Sequence, residues 1–144
     1  MRRIFIALAI LLALGNTAEA KNYITLESPS GNTIVDETGK WILGPYKDLH
    51  VNYIIDFGEN YAYASFYDNG QKRYINLNTM VYLPAGYDYE FSYEYAKALT
   101  KGGFKLVKSD GTYAINDVVS AYNYCSDNLI YGKKGEFWYL YNIS

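Results

Sequence analysis

Few residue types in this chain could carry catalytic chemistry. Among its 144 residues there is one histidine, His50, and one cysteine, Cys125. A thiol nucleophile needs a neighbouring base, and no motif joins these two distant positions. A metal site built from His and Cys ligands needs several of them, and the sequence has no phosphate-binding loop, dinucleotide fingerprint or calcium loop. We therefore expect neither a metal nor a cofactor.

Cys125 has no second cysteine in the chain with which to form an internal disulfide. A free cysteine usually behaves as a small buried apolar residue, so we expect Cys125 to be structural. The alternative is an intermolecular disulfide or a reactive thiol, which an oxidising compartment outside the cell would permit.

Carboxylates are the other candidates for chemistry. Asp56 and Glu59 form one group, and Asp88, Glu90 and Glu94 form another. Two such groups could supply the acid and base of a carboxylate-dependent glycan hydrolase. Carboxylates that alternate with aromatic residues are, however, typical of the solvent face of a strand. We therefore keep the hydrolase as an alternative.

Tyrosine is the strongest compositional signal, with 18 residues in the chain. In residues 87–95 aromatic residues alternate with acidic or small polar ones, so we expect these rings to face the core. In residues 61–67 the tyrosines alternate instead with Ala62, Ala64 and Phe66. Those three already make an inside face, which leaves the tyrosines for the outside, where a ring could contact a sugar or a peptide.

A hairpin is predicted at Asn69-Gly70, because both residues tolerate the positive φ of a two-residue turn. That turn would pair Asp68 with Gln71 and Ser65 with Tyr74. One side would then carry Tyr63, Ser65, Tyr67, Lys72, Tyr74 and Asn76, and the other Ala62, Ala64, Phe66, Ile75 and Leu77, with Arg73 near the hairpin end. We take the first side as the candidate ligand-binding surface, formed by Tyr63, Tyr67, Lys72 and Tyr74. The alternative is that these rings pack on a neighbouring hairpin.

The N-terminus predicts export. Met1-Arg2-Arg3 precedes an apolar run over residues 4–14 and an Ala18-Glu19-Ala20 end, as in a secretory signal peptide. We expect a signal helix in residues 1–20 and a single mature domain in residues 21–144, periplasmic or secreted and without membrane insertion after cleavage. Removing Arg2, Arg3 and Glu19 from 13 basic and 15 acidic residues leaves 11 and 14, a net charge of −3. This balance argues against nucleic acid as a partner.

The mature chain is predicted to be all-β, built from consecutive antiparallel hairpins. Turn glycines Gly31, Gly70 and Gly111 lie 39 and 41 residues apart, and Pro45 and Pro84 lie 39 apart. This spacing indicates about three repeats of some 40 residues, too few for a typical propeller, so we expect a small barrel or a stack of meanders. Residues 95–101 are the one mature segment that could form a helical turn, and Gly44-Pro45 is expected to end a strand.

The repeats resemble the bacterial WG β-repeat family. The best matches are residues 69–76, Asn-Gly-Gln-Lys-Arg-Tyr-Ile-Asn, and residues 38–48, Thr-Gly-Lys-Trp-Ile-Leu-Gly-Pro-Tyr-Lys-Asp. The likeness covers most of residues 31–140, with Arg73-Tyr74, Tyr113-Ala114 and Trp138-Tyr139 in the slot of the family's Trp-Gly pair. The resemblance implies a scaffold for binding. We expect a non-catalytic module whose partner is a protein or a cell-envelope glycan; the alternatives are the hydrolase and an inhibitor of a secreted enzyme.

Overall fold

The computed structural model describes residues 22–56, 59–92 and 95–144. The expected signal helix therefore lies outside the described residues. The described chain forms fourteen antiparallel strands in four sheets, and no helix occurs in it. It accordingly contains no helix that is long and apolar enough to cross a membrane.

Each sheet is a meander of strands that follow one another in sequence. The first sheet contains β1 (Tyr23–Leu26), β2 (Asn32–Asp36) and β3 (Trp41–Tyr46). The second contains β4 (His50–Asp56), β5 (Glu59–Asp68), β6 (Gln71–Asn76) and β7 (Val81–Tyr82). The third contains β8 (Tyr89–Phe91), β9 (Tyr95–Thr100), β10 (Gly103–Lys108) and β11 (Tyr113–Val119), and the fourth β12 (Ala121–Ser126), β13 (Leu129–Lys134) and β14 (Phe137–Asn142).

The predicted hairpin between β5 and β6 is confirmed. Asn69 and Gly70 both have positive φ, 50° and 78°. Asp68 pairs with Gln71 and Ser65 pairs with Tyr74, as the two-residue turn requires. The turn chemistry therefore fixes which residues share each face of this hairpin.

Three successive hydrophobic cores join the four sheets into a stack. The first core packs Ile34 and Leu43 of the first sheet against Ala64, Phe66 and Ile75 of the second. A second core joins the second sheet to the third, and a third core joins the third sheet to the fourth. Among the described residues, the second and third sheets therefore have a neighbouring sheet on both faces, whereas the first and fourth have one on a single face.

Polar contacts also hold the second and third sheets together. Asn76 is fully buried, and its side-chain oxygen accepts backbone N–H bonds from Asn78 and Thr79 at 2.9 and 3.3 Å. Thr79 Oγ1 donates to the carbonyl of Ser109, in the turn between β10 and β11, at 3.1 Å. The first two bonds satisfy the oxygen of a buried amide, and the third ties the second sheet to the third.

Two local predictions are wrong. Residues 95–101 do not form a helical turn, because β9 runs through them between β8 and β10, with Ala96 and Ala98 buried. Pro45 does not end its strand: β3 continues to Tyr46, which is tolerated because β3 lies at a sheet edge, where a proline removes no ladder bond.

The three glycines that suggested a 40-residue period occupy different turns of their sheets. Gly31 lies between the first two strands of its sheet, and Gly70 between the second and third of the next. Gly111 lies between the third and fourth strands of the third sheet. Equal spacing in sequence therefore does not mark equivalent turns, although every sheet has the same meander topology.

Candidate ligand groove

The structure separates the four residues of the predicted binding surface into two pairs. Tyr63 is 1 % exposed and Tyr74 is 5 % exposed, so the expectation that their rings face outward is wrong. The third sheet covers them: the Tyr63 ring stacks on Phe91 with centroids 4.2 Å apart, and the Tyr74 ring meets Tyr89 edge-on at 5.0 Å. Both belong to the core between the second and third sheets.

Tyr67 and Lys72 remain exposed because they lie at the turn end of the β5–β6 hairpin, beyond the edge of that core. Tyr67 is 48 % exposed. These two residues are directly paired across the hairpin and line an open groove of about 540 Å³. The groove is completed by Gln71 and by residues 85–88, in the connection from β7 to β8.

The connection that forms the second wall is fixed at both ends. The backbone N–H of Leu83 donates to the carbonyl of Tyr74 at 2.9 Å. The carbonyl of Asp88 accepts from the N–H of Leu99 at 2.9 Å, and the Tyr89 hydroxyl donates to the carbonyl of Pro84 at 2.8 Å. The wall therefore belongs to the ordered structure of both the second and third sheets.

Asp88 is the acidic residue of the groove, and it binds both Tyr74 and Lys72. Its Oδ1 accepts a hydrogen bond from the Tyr74 hydroxyl at 2.8 Å and lies 3.2 Å from Lys72 Nζ. The Tyr74 bond first, and Lys72 second, hold the pKa of Asp88 below its ordinary value. Hydrogen bonding to Tyr74 and Asp88 raises the pKa of Lys72. Both side chains are therefore charged at neutral pH.

The pairing of Asp88 leaves capacity for a ligand. Both contacts recorded for Asp88 with other described side chains use Oδ1, so Oδ2 can accept hydrogen bonds from outside. Because the ion pair is largely exposed, water screens it and its contribution to stability is small. The pair instead holds a hydrogen-bond acceptor, Asp88, and a donor, Lys72, in fixed positions at the groove.

The far side of the groove is held by a cluster around Lys105. Lys105 Nζ lies 5.9 Å from the centre of the Tyr87 ring and 5.3 Å from that of Tyr113, and it donates to Asn116 Oδ1 at 2.9 Å. Burial, together with a hydrogen bond to Tyr87, raises the pKa of Tyr113 to about 12. The cluster fixes the position of Tyr87, the second aromatic residue that lines the groove.

The predicted carboxylate groups do not meet in this groove. Asp88 is the only acidic residue among those that line it. Glu90, two residues away, lies 3.7 Å from Lys97 on β9 instead. The side chains of Asp56, Glu59 and Glu94 lie outside what the structure describes, and within the described part no three His, Cys, Asp or Glu residues are grouped so as to hold a metal ion.

Cys125 is exposed, so the prediction that it is a buried structural residue is wrong. It lies in β12, an edge strand of the fourth sheet, where the pairing with β13 shifts between Tyr124 and Ser126. At such an irregularity side chains no longer alternate regularly between the two faces of the sheet, and the Cys125 side chain does not enter the core.

Comparison of the chain with protein-family models, with curated proteins and with solved structures finds no match.

Proposed function

We infer that the protein is an exported, non-catalytic binding module and that its groove recognises a cell-envelope glycan. The observation that carries this inference is the exposed Tyr67 ring beside a fixed Lys72–Asp88 pair, at the mouth of an open groove. Ligand sites combine apolar surface with a small number of well-placed polar groups, and this groove has that composition.

The groove chemistry suits a sugar. A sugar ring has an apolar C–H face, which can lie on the flat ring of Tyr67, and a rim of hydroxyls. Asp88 Oδ2 can accept from a hydroxyl, Lys72 can donate, and the Gln71 amide can do both. Hydrogen bonds to charged groups are the stronger ones, and here the charged partners are already held in place by each other.

Binding fits Asp88 better than hydrolysis does. A glycoside hydrolase of the usual kind needs two carboxyl groups flanking the scissile bond, and one of them must hold a proton at working pH. The lowered pKa of Asp88 keeps this carboxylate ionised. It is thus suited to accept hydrogen bonds and poorly suited to donate a proton to a leaving group.

The organisation of the chain supports the same reading. We take residues 21–144 as one mature domain, released from a signal peptide of residues 1–20, whose four sheets share one meander topology. The resemblance to WG repeats supports this, as that family would imply a scaffold for binding. A protein partner of the same groove is the second candidate, since a half-exposed tyrosine also suits peptide contacts.

The test is a titration of the purified protein with soluble fragments of envelope glycan, followed by protein NMR. Loss of a half-exposed aromatic contact is worth about 0.5–1.5 kcal/mol, so Tyr67→Ala should weaken binding by roughly 2- to 10-fold. Tyr139→Ala is the matched control, because Tyr139 is 47 % exposed but lies on β14, in a different sheet. Shifts that avoid residues 67–72 and 85–88, or equal weakening by both variants, would exclude the groove as the glycan site.

A further inference from the structure

Within the part of the chain that the structure describes, no other sheet covers the two ends of the stack, and both ends carry exposed apolar side chains. On the first sheet, Ile24, Leu26 and Trp41 are exposed; on the fourth, Tyr131, Trp138 and Leu140 are exposed. We call these two sets the first end face and the second end face. Trp41 is 63 % exposed and Trp138 is 46 % exposed. Stacked repeat proteins normally carry a polar outer face at each end, which keeps them soluble.

Strand register places the first set on one face. Ile24 and Trp41 both pair with Val35, so these side chains lie on the side of the sheet opposite Ile34, which is buried in the first core. Leu26 lies two residues beyond Ile24 on the same strand and shares its side. The first end face is therefore the outer surface of the stack at the first sheet.

The same reasoning applies at the other end. Tyr131 pairs with Leu140, and Trp138 pairs with Lys133, two residues beyond Tyr131. The neighbouring Ile130 points the other way, into the third core. The second end face is thus the outer surface at the fourth sheet.

We propose that the two end faces bind each other between copies of this chain, the fourth sheet of one copy stacking on the first sheet of the next. The mode of contact continues the one that already joins the four sheets: apolar residues of one sheet face pack on those of its neighbour at three successive interfaces. A second copy is the occupant whose surface matches both ends at once.

Charge favours contact between unlike ends. Residues 22–48, which include the first sheet, carry four carboxylates and two lysines. Residues 121–144 carry two of each, and Lys133 shares the outer side with Tyr131 and Trp138. Two first end faces would bring like net charges together, whereas a first and a second end face would bring Lys133 towards a sheet of net negative charge.

The size of the faces sets the strength of the association. Three strands spaced about 4.8 Å apart and some six residues long give roughly 300 Å² per face, or roughly 600 Å² for a pair. Stable complexes bury about 1,200–2,000 Å², so stacking should be weak and dependent on concentration. Because the two surfaces differ, the contact is head-to-tail, and association need not stop at a dimer.

The test uses sedimentation velocity on the purified protein over a concentration series, with a reductant present because Cys125 is exposed. Trp41→Lys blocks the first end face and Trp138→Lys the second; both side chains are exposed, so the fold should be kept. We expect the mean mass of the unaltered protein to rise with concentration beyond that of a dimer. Each variant alone should stay monomeric, and an equimolar mixture should double in mass and go no further.

Only the head-to-tail arrangement predicts that mixing two monomeric variants restores pairing. A monomeric unaltered protein, a variant that still associates alone, or a mixture that stays monomeric would each overturn the proposal. Met80→Lys, an exposed position between β6 and β7 and away from both ends, is the control and should associate as the unaltered protein does. Circular dichroism checks each fold, and Leu26→Lys or Leu140→Lys replaces a tryptophan variant that loses it.

Discussion

Two tyrosines on one strand provide a direct test of the stack. Tyr63 and Tyr67 both lie on β5, four residues apart and on the same side of the hairpin. The third sheet covers Tyr63, whose ring stacks on Phe91, whereas Tyr67 is half exposed in the groove. The same substitution at the two positions should therefore have very different effects on stability.

The expected difference follows from burial. Replacing a fully buried aromatic ring by alanine costs about 3–5 kcal/mol, because apolar contacts are lost and a cavity remains. Tyr63→Ala should accordingly lower the melting temperature by roughly 10–20 °C in a domain of this size. Tyr67→Ala removes an exposed side chain and should cost at most about 1 kcal/mol, mainly through lower strand propensity.

Thermal and urea unfolding of both variants, monitored by circular dichroism, measures these losses on one scale. Tyr63→Phe is the conservative companion: it keeps the stacked ring and should retain most of the stability that Tyr63→Ala loses. If Tyr63→Ala and Tyr67→Ala were equally mild, the third sheet would not cover this face of the hairpin. The assignment of Tyr63 to the core would then be refuted.

Three other predictions concern the groove, the cysteine and the tyrosines. Tyr74→Phe removes the strongest cause of the lowered pKa of Asp88, so that pKa should rise towards its ordinary value in a carboxyl NMR titration. A carboxyl group with a lowered pKa stabilises the folded protein, and this stabilisation is lost as pH falls through that pKa. In Tyr74→Phe the stabilisation from Asp88 should therefore be smaller. Cys125→Ser should change the free energy of unfolding by no more than about 0.5 kcal/mol, and a thiol reagent should modify native Cys125 without denaturant. Burial raises the pKa of Tyr89, so the absorbance of its tyrosinate form should appear at a higher pH than that of an exposed tyrosine. The contribution of the protonated Tyr89 to the free energy of unfolding is fully present below about pH 10 and should be lost as pH rises further.

Local chemistry made the hairpin predictable. The Asn69-Gly70 pair specifies a two-residue turn, and that turn fixes the register without help from the rest of the chain. The all-β class is also confirmed, since alternation and turn residues recur along residues 22–144. The helical turn that the composition of residues 95–101 allows does not form, because the segment is short and pairing with strands on both sides outweighs its composition.

The site was only half predictable for a different reason. Alternation states which residues share a face, but it does not state what covers that face. Tyr63 and Tyr74 are buried by Phe91 and Tyr89, which come from the next sheet, and no pattern within residues 61–76 contains that information. Asp88 was visible only as an acidic residue in an aromatic strand, and its approach to Lys72 depends on how two sheets stack.

The stack also explains why tyrosine, and not phenylalanine, dominates its cores. A sheet of four strands is only about 19 Å across, so a ring buried between sheets can place its hydroxyl near a hydrogen-bond acceptor. Three buried rings have such an acceptor: Tyr23 donates to the carbonyl of Leu77, Tyr89 to that of Pro84, and Tyr74 to Asp88. A buried hydroxyl needs such a partner, since leaving it unsatisfied would cost about 1–3 kcal/mol. In two cases the partner is a backbone carbonyl, but at Tyr74 it is a carboxylate, whose second oxygen remains for a ligand. The groove therefore lies where the hydroxyl of a core tyrosine, Tyr74, donates its hydrogen bond to the carboxylate of Asp88.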